Sequence, residues 1–119
     1  MLFRSWAPSG LRMRDPGENQ AWARASVSLF EAFGRAGGKR AVFAGSCAEY
    51  DWSHEVLNET STPARPSTVY GAAKNAVREG IAARHDALDQ GSAWARLFFL
   101  YGPHEPRGDR KSTRLNSSH

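Results

Sequence analysis

Arg40-Ala-Val-Phe-Ala-Gly-Ser-Cys-Ala-Glu-Tyr50 opens on a short apolar run, Ala41 to Ala44, and breaks at Gly45-Ser46. A run of that length bounded by glycines reads as a buried strand. It follows Gly37-Gly38, a usual helix stop, and that stop follows a segment with helical period. From Glu18 to Ala36, Trp22, Ser26, Leu29 and Phe33 form one stripe, and Ala23, Val27 and Phe30 form a second beside it. The flanking Trp6–Gly17 is rich in Pro, Gly and Arg and reads as loop.

Downstream, Gly45 to Pro66 carries Gly, Ser, Asp, Asn and Thr and reads as a long loop. Ser67 or Thr68 is placed to cap a second helix running to about Ala87. Ala72, Ala73, Ala76, Val77, Ile81 and Leu88 give that helix an apolar face, and Gly91 marks its exit. Ala93 to Leu100 is a second strand candidate, turned at Gly102-Pro103. The order helix, strand, helix, strand indicates an α/β fold, a partial Rossmann-like parallel sheet. Two parallel strands are not a stable sheet alone, so this segment is expected to fold poorly in isolation.

The ends read differently from the interior. Asp109 to His119, DRKSTRLNSSH, back-translates into a sequencing-library adapter, and Leu2 to Ser5 matches the other adapter's end. Residues 1–5 and 109–119 are therefore expected to be adapter-derived, leaving one partial domain at 6–108, open at both ends. The chain carries 16 Lys+Arg against 12 Asp+Glu, a net charge of +4. Arg4, Arg110, Lys111 and Arg114 lie in the ends with Asp109, so the interior is close to neutral. That balance speaks against nucleic-acid binding, which needs a clustered basic face. No apolar run approaches the roughly 20 residues that span a bilayer, and no secretory leader is visible. The expectation is a cytoplasmic protein without a membrane partner. Cys47 is the single cysteine, giving neither a disulfide framework nor a metal cluster. His54, His85 and His104 are scattered and read as surface residues, so no metal site is expected.

Tyr70-Gly-Ala-Ala-Lys74 is the chemically suggestive run. Positions i and i+4 share a helix face. A phenol titrating near 10 needs a shift of roughly three units, or about 4 kcal/mol, to act as acid and base near neutral pH. An ammonium one turn away supplies part of that. It also offers donors to ribose hydroxyls. Small Gly71, Ala72 and Ala73 leave room for a ligand. Ser46 stands at the carboxyl end of the first strand, where open α/β sheets bind ligands, and Gly45 keeps the approach open. Its hydroxyl is placed to hydrogen-bond a substrate oxygen; the alternative is a serine that caps the strand exit. Gly34-Arg-Ala-Gly37-Gly38 is glycine-rich, but it ends a helix, which is the wrong context for a phosphate loop.

Taken together these runs resemble a known family. RAVFAGSCAEY resembles the strand-plus-serine segment of the extended short-chain dehydrogenases/reductases, the NAD-dependent epimerase/dehydratase family. Glu59 to Lys74 resembles the family's E-x-T-P-x-x-P-x-x-x-Y-G-x-x-K run, and Arg96 to Pro103 resembles its R-x-F-N-x-Y-G-P strand end. The resemblance implies Ser46, Tyr70 and Lys74 as catalytic residues. It implies NAD or NADP as cofactor, held by Gly45, Tyr70, Lys74 and Leu97. A nucleotide-sugar substrate would contact Ser46, Cys47 and Phe99, where Phe99 stands in place of the family's Asn. The chemistry implied is that of an epimerase, dehydratase or 4-keto-reductase, with hydride transfer at a hexose carbon. Two helices pairing across a homodimer axis are implied for the intact parent. A different reading is a non-catalytic dinucleotide-binding or dimerisation module; the presence of both Tyr70 and Lys74 disfavours it.

Overall fold

The computed structural model describes residues 14–100 and 103. Both terminal segments assigned to adapter, and Gly102 of the expected turn, lie outside the described residues. Helix α1 (Pro16–Arg35) leads into strand β1 (Arg40–Ser46), a single 3-10 turn at Cys47–Glu49, helix α2 (Val69–Ala82), a short helix α3 (His85–Leu88) and strand β2 (Gly91–Leu97). The strands pair in parallel, from Arg40 beside Gly91 to Ser46 beside Leu97.

Each boundary has a local cause. Asp15 accepts the amides of Gly17 and Glu18 with Pro16 at the first helical position, so α1 starts inside the segment read as loop. It ends at Gly37, whose φ of +88° suits glycine, with the Gly38 amide donating to Phe33 O at 2.8 Å. Thr68, not Ser67, caps α2 by accepting the Gly71 amide at 3.0 Å. That helix stops at Ala82, short of the expected Ala87. There the Arg84 amide turns back to Ile81 O, and the chain restarts as α3 before Asp89 takes a left-handed turn. The exit is thus Asp89, and Gly91 already belongs to β2. The second strand ends at Leu97 rather than Leu100 because its partner β1 turns away after Ser46.

The core sits between the helices and one sheet face. Phe30, Val77 and Ile81 are its centre, with Ala23, Val27, Ala41, Phe43, Leu88 and Trp94 packed against it. Phe43 stacks on Trp94, and Phe30 meets Phe43 edge-on. The buried face of α2 is Gly71, Ala73, Lys74, Val77 and Ile81, while Ala72 and Ala76 point to solvent. The apolar stripe is therefore rotated from the expected one to take in Lys74. Both strands alternate strictly, and the face away from the helices is bare, Val42 being 71% exposed. The expected burial of the strands is met on one face only.

Gly71 shows how tightly α2 meets the turn after β1. A Cβ there would lie 2.2 Å from the Ala48 carbonyl oxygen. The small residue serves backbone packing rather than the approach of a ligand. Gly71→Ala is expected to push the start of α2 outward and destabilise the fold by about 1–3 kcal/mol, read as a lower midpoint in urea unfolding.

Candidate active site

The site lies where β1 ends. Ser46 sits at the last paired position of the strand in extended conformation, and its hydroxyl accepts the Ala48 amide at 3.1 Å. The same hydroxyl stands beside the Tyr70 phenol and pulls its pKa down, which favours the phenolate. Ser46 therefore both caps the turn and faces Tyr70. Tyr70 occupies the first turn of α2, and Lys74 follows one turn later, its Nζ 5.8 Å from the Tyr70 ring centre. Ser46, Tyr70 and Lys74 are thus brought together at the carboxyl edge of the sheet.

Lys74 is anchored to the sheet. It is 7% exposed, and its ammonium donates to Ala44 O of β1 at 2.9 Å. Burial pulls its pKa down to about 8, while the nearby Glu49 carboxylate opposes the fall. Burial also pushes the Tyr70 phenol above its ordinary value, against the pull of the Ser46 hydroxyl and with Glu49 and Cys47 adding to the rise. The protein atoms alone thus raise the phenol rather than depress it, because the loss of solvent outweighs that pull.

The Lys74 shift has a stability consequence. Below pH 8 both folded and unfolded chains carry the ammonium, so the cost of burying it is present in full. From pH 8 to the unfolded value of 10.5 the unfolded chain binds more protons, and stability rises with pH. Lys74→Met is expected to be about 2 kcal/mol more stable than wild type at neutral pH and to lack this rise. Urea unfolding at neutral pH and near pH 10 checks both.

The other expected contacts divide. Leu97 is paired beside Ser46 and 45% exposed, so it forms part of the rim. Phe99 is exposed further along, its ring tilted against Trp52 at 6.1 Å. Cys47 is buried, and burial raises its thiol pKa; its carbonyl accepts the Trp52 indole N–H at 2.9 Å. Gly45 is buried too. A Cβ there would meet Trp94 Nε1 at 2.2 Å and Glu49 Oε1 at 2.7 Å, so its missing side chain makes room for that pair. Gly45 and Cys47 thus face inward, and Leu97 and Phe99 face the open edge.

One group escapes the sequence reading. Glu49 is fully buried, at 0% exposure. Its Oε1 accepts the Ser46 amide at 2.7 Å, Trp94 Nε1 donates to both carboxylate oxygens, and Arg96 Nε donates to Oε2 at 2.9 Å. Arg96 continues to Tyr50, donating to its hydroxyl at 3.1 Å with the guanidinium 4.5 Å over the ring. A signal for it exists in the chain: Ser46-Cys-Ala-Glu49 is a capping box, and both of its hydrogen bonds form.

Parallel strands covered by helices, with polar groups gathered at the strands' carboxyl edge, define an α/β protein with a partial Rossmann-like sheet. The model of the NAD dependent epimerase/dehydratase family matches residues 10–118, and the chain belongs to that family. The fold is similar to that of the UDP-glucose 4-epimerase of Thermus thermophilus, solved in complex with NAD. The match has a TM-score of 0.59 at 17% sequence identity and covers 87% of this chain and 46% of that one. At that identity the likeness is one of fold, and the chain spans about half the length of that enzyme. No curated protein matches the chain. No helix among the described residues is long and apolar enough to cross a membrane.

Proposed function

We propose that the chain is an interior segment of an NAD(P)-dependent nucleotide-sugar epimerase, dehydratase or 4-keto-reductase, with Tyr70 as acid/base. The observation that carries this is the placement of Tyr70 and Lys74 one turn apart on α2, the ammonium 5.8 Å from the phenol ring, beside the strand end that bears Ser46. Ser46 orients the sugar hydroxyl or keto group, and Tyr70 holds or gives up the proton on that oxygen. Lys74 stands beside the phenol with its ammonium held on Ala44 O, and would turn a donor toward a ribose once the cofactor is bound.

The residues present fit a dinucleotide: a buried amine, a phenol and the half-exposed Leu97 share one edge of the sheet. Tyr70, Lys74 and Leu97 would hold its nicotinamide end, and when bound the cofactor supplies hydride transfer. In this reading the complete parent is a homodimer and the segment alone is inactive.

The test uses the complete parent with NAD or NADP and a panel of UDP- and dTDP-hexoses. Proton NMR should detect a C4 epimer or a 4-keto sugar with at least one pair, and the isolated segment should give none. A complete parent that binds the cofactor but alters no sugar would overturn the proposal.

A further inference from the structure

Glu49 has more contacts than a turn requires. The capping bond to the Ser46 amide uses Oε1, yet Trp94 reaches both oxygens and Arg96 takes Oε2. The carboxylate thereby joins the last residue of β1 to two residues of β2, and no solvent reaches it. Ser46 bonds Glu49 through its backbone amide, while its hydroxyl accepts the Ala48 amide and stands beside Tyr70, so the clamp and the acid/base pair meet in one residue. The charged and titratable groups around it come from every neighbouring element. Arg96 faces it from β2, and Tyr70 and Lys74 of α2 both feel its field. Cys47 and Tyr50 flank it on its own turn.

We propose that Glu49 is a positioning residue of the acid/base site: its clamped carboxylate fixes where the Ser46 hydroxyl points and sets a negative charge behind the Tyr70–Lys74 pair. This rests on the reading of Tyr70 above. A turn that only needed capping would be served by the Ser46 bond alone. The double anchorage to β2 holds the carboxylate still, and a fixed charge in a water-poor site acts more strongly than a mobile one.

The test is a phenolate absorbance titration of the complete parent. Each protein is measured against the same protein carrying Tyr70→Phe, so that only Tyr70 is read. Glu49→Gln keeps an acceptor for the Ser46 amide and removes the charge; the Tyr70 midpoint should fall by about half a unit. Trp94→Phe keeps the charge and the ring against Phe43 but strips a donor from the carboxylate; the midpoint should move the opposite way. Trp94→Phe also gives a reading should Glu49→Gln fail to fold. An unchanged midpoint in a folded variant of either kind overturns the proposal. Retained turnover in Tyr70→Phe alone would instead bring down the acid/base reading, so the two failures are told apart.

Discussion

Tyr70→Phe is expected to lower turnover of the complete enzyme by about a thousandfold while nucleotide-sugar binding persists. The substitution removes one oxygen and leaves the ring, so the packing of α2 against the turn at Cys47–Glu49 should survive. What disappears is the phenol proposed to exchange a proton with the sugar oxygen, which stands beside the Ser46 hydroxyl. Steady-state kinetics with an isothermal binding measurement separate the two effects. Loss of binding with unchanged turnover at saturation would assign Tyr70 to substrate capture instead. Because burial raises the phenol, the rate should climb with pH toward the alkaline side, and Tyr70→Phe should flatten that climb.

Glu49→Ala should have the largest effect on stability, a loss of about 3–5 kcal/mol. It leaves the Ser46 amide, the Trp94 indole N–H and the Arg96 guanidinium facing a void at the junction of both strands. A mostly buried cation without its counter-charge is costly, and the cavity adds to the cost. Restoring neutrality with Arg96→Met in the same chain should recover part of the loss. Urea unfolding of the single and double variants measures the coupling, and a loss below about 1 kcal/mol in Glu49→Ala would show that water replaces the carboxylate freely.

The residues legible in the sequence are those whose pattern has a period. The second stripe of α1, Ala23, Val27 and Phe30, lies on the core as its spacing requires. The apolar run Ala41–Ala44 is a strand that presents Ser46 at its carboxyl end. What fails is phase without continuity: Leu88 keeps the α2 stripe in register and packs on the core, although the helix has broken at Ala82 and restarted at His85. The end of β2 is hidden for a related reason. Phe98, Phe99 and Leu100 look like strand, but strand length is set by the partner, which turns at Ser46. Among the site residues, geometry separates what sequence treats alike. Gly45 and Gly71 suggest ligand access, yet both accommodate internal neighbours, Trp94 with Glu49 and the Ala48 carbonyl. Lys74 reads as a helper of Tyr70, and the fold does set it one turn away, but buried and with its ammonium tied to Ala44 O, which no sequence pattern announces. The Glu49 clamp is the least legible, since its donors from β2 lie 45 and 47 residues away in the chain.

That separation bears on when the serine is put in place during synthesis. Ser46 and Tyr70 leave the ribosome well before Arg96, and until it follows them the carboxylate has only its local capping bond. The turn after β1 therefore matures late, at the moment the second strand docks, and a nascent chain stalled before Trp94 carries Ser46 and Glu49 without the bonds that hold them still.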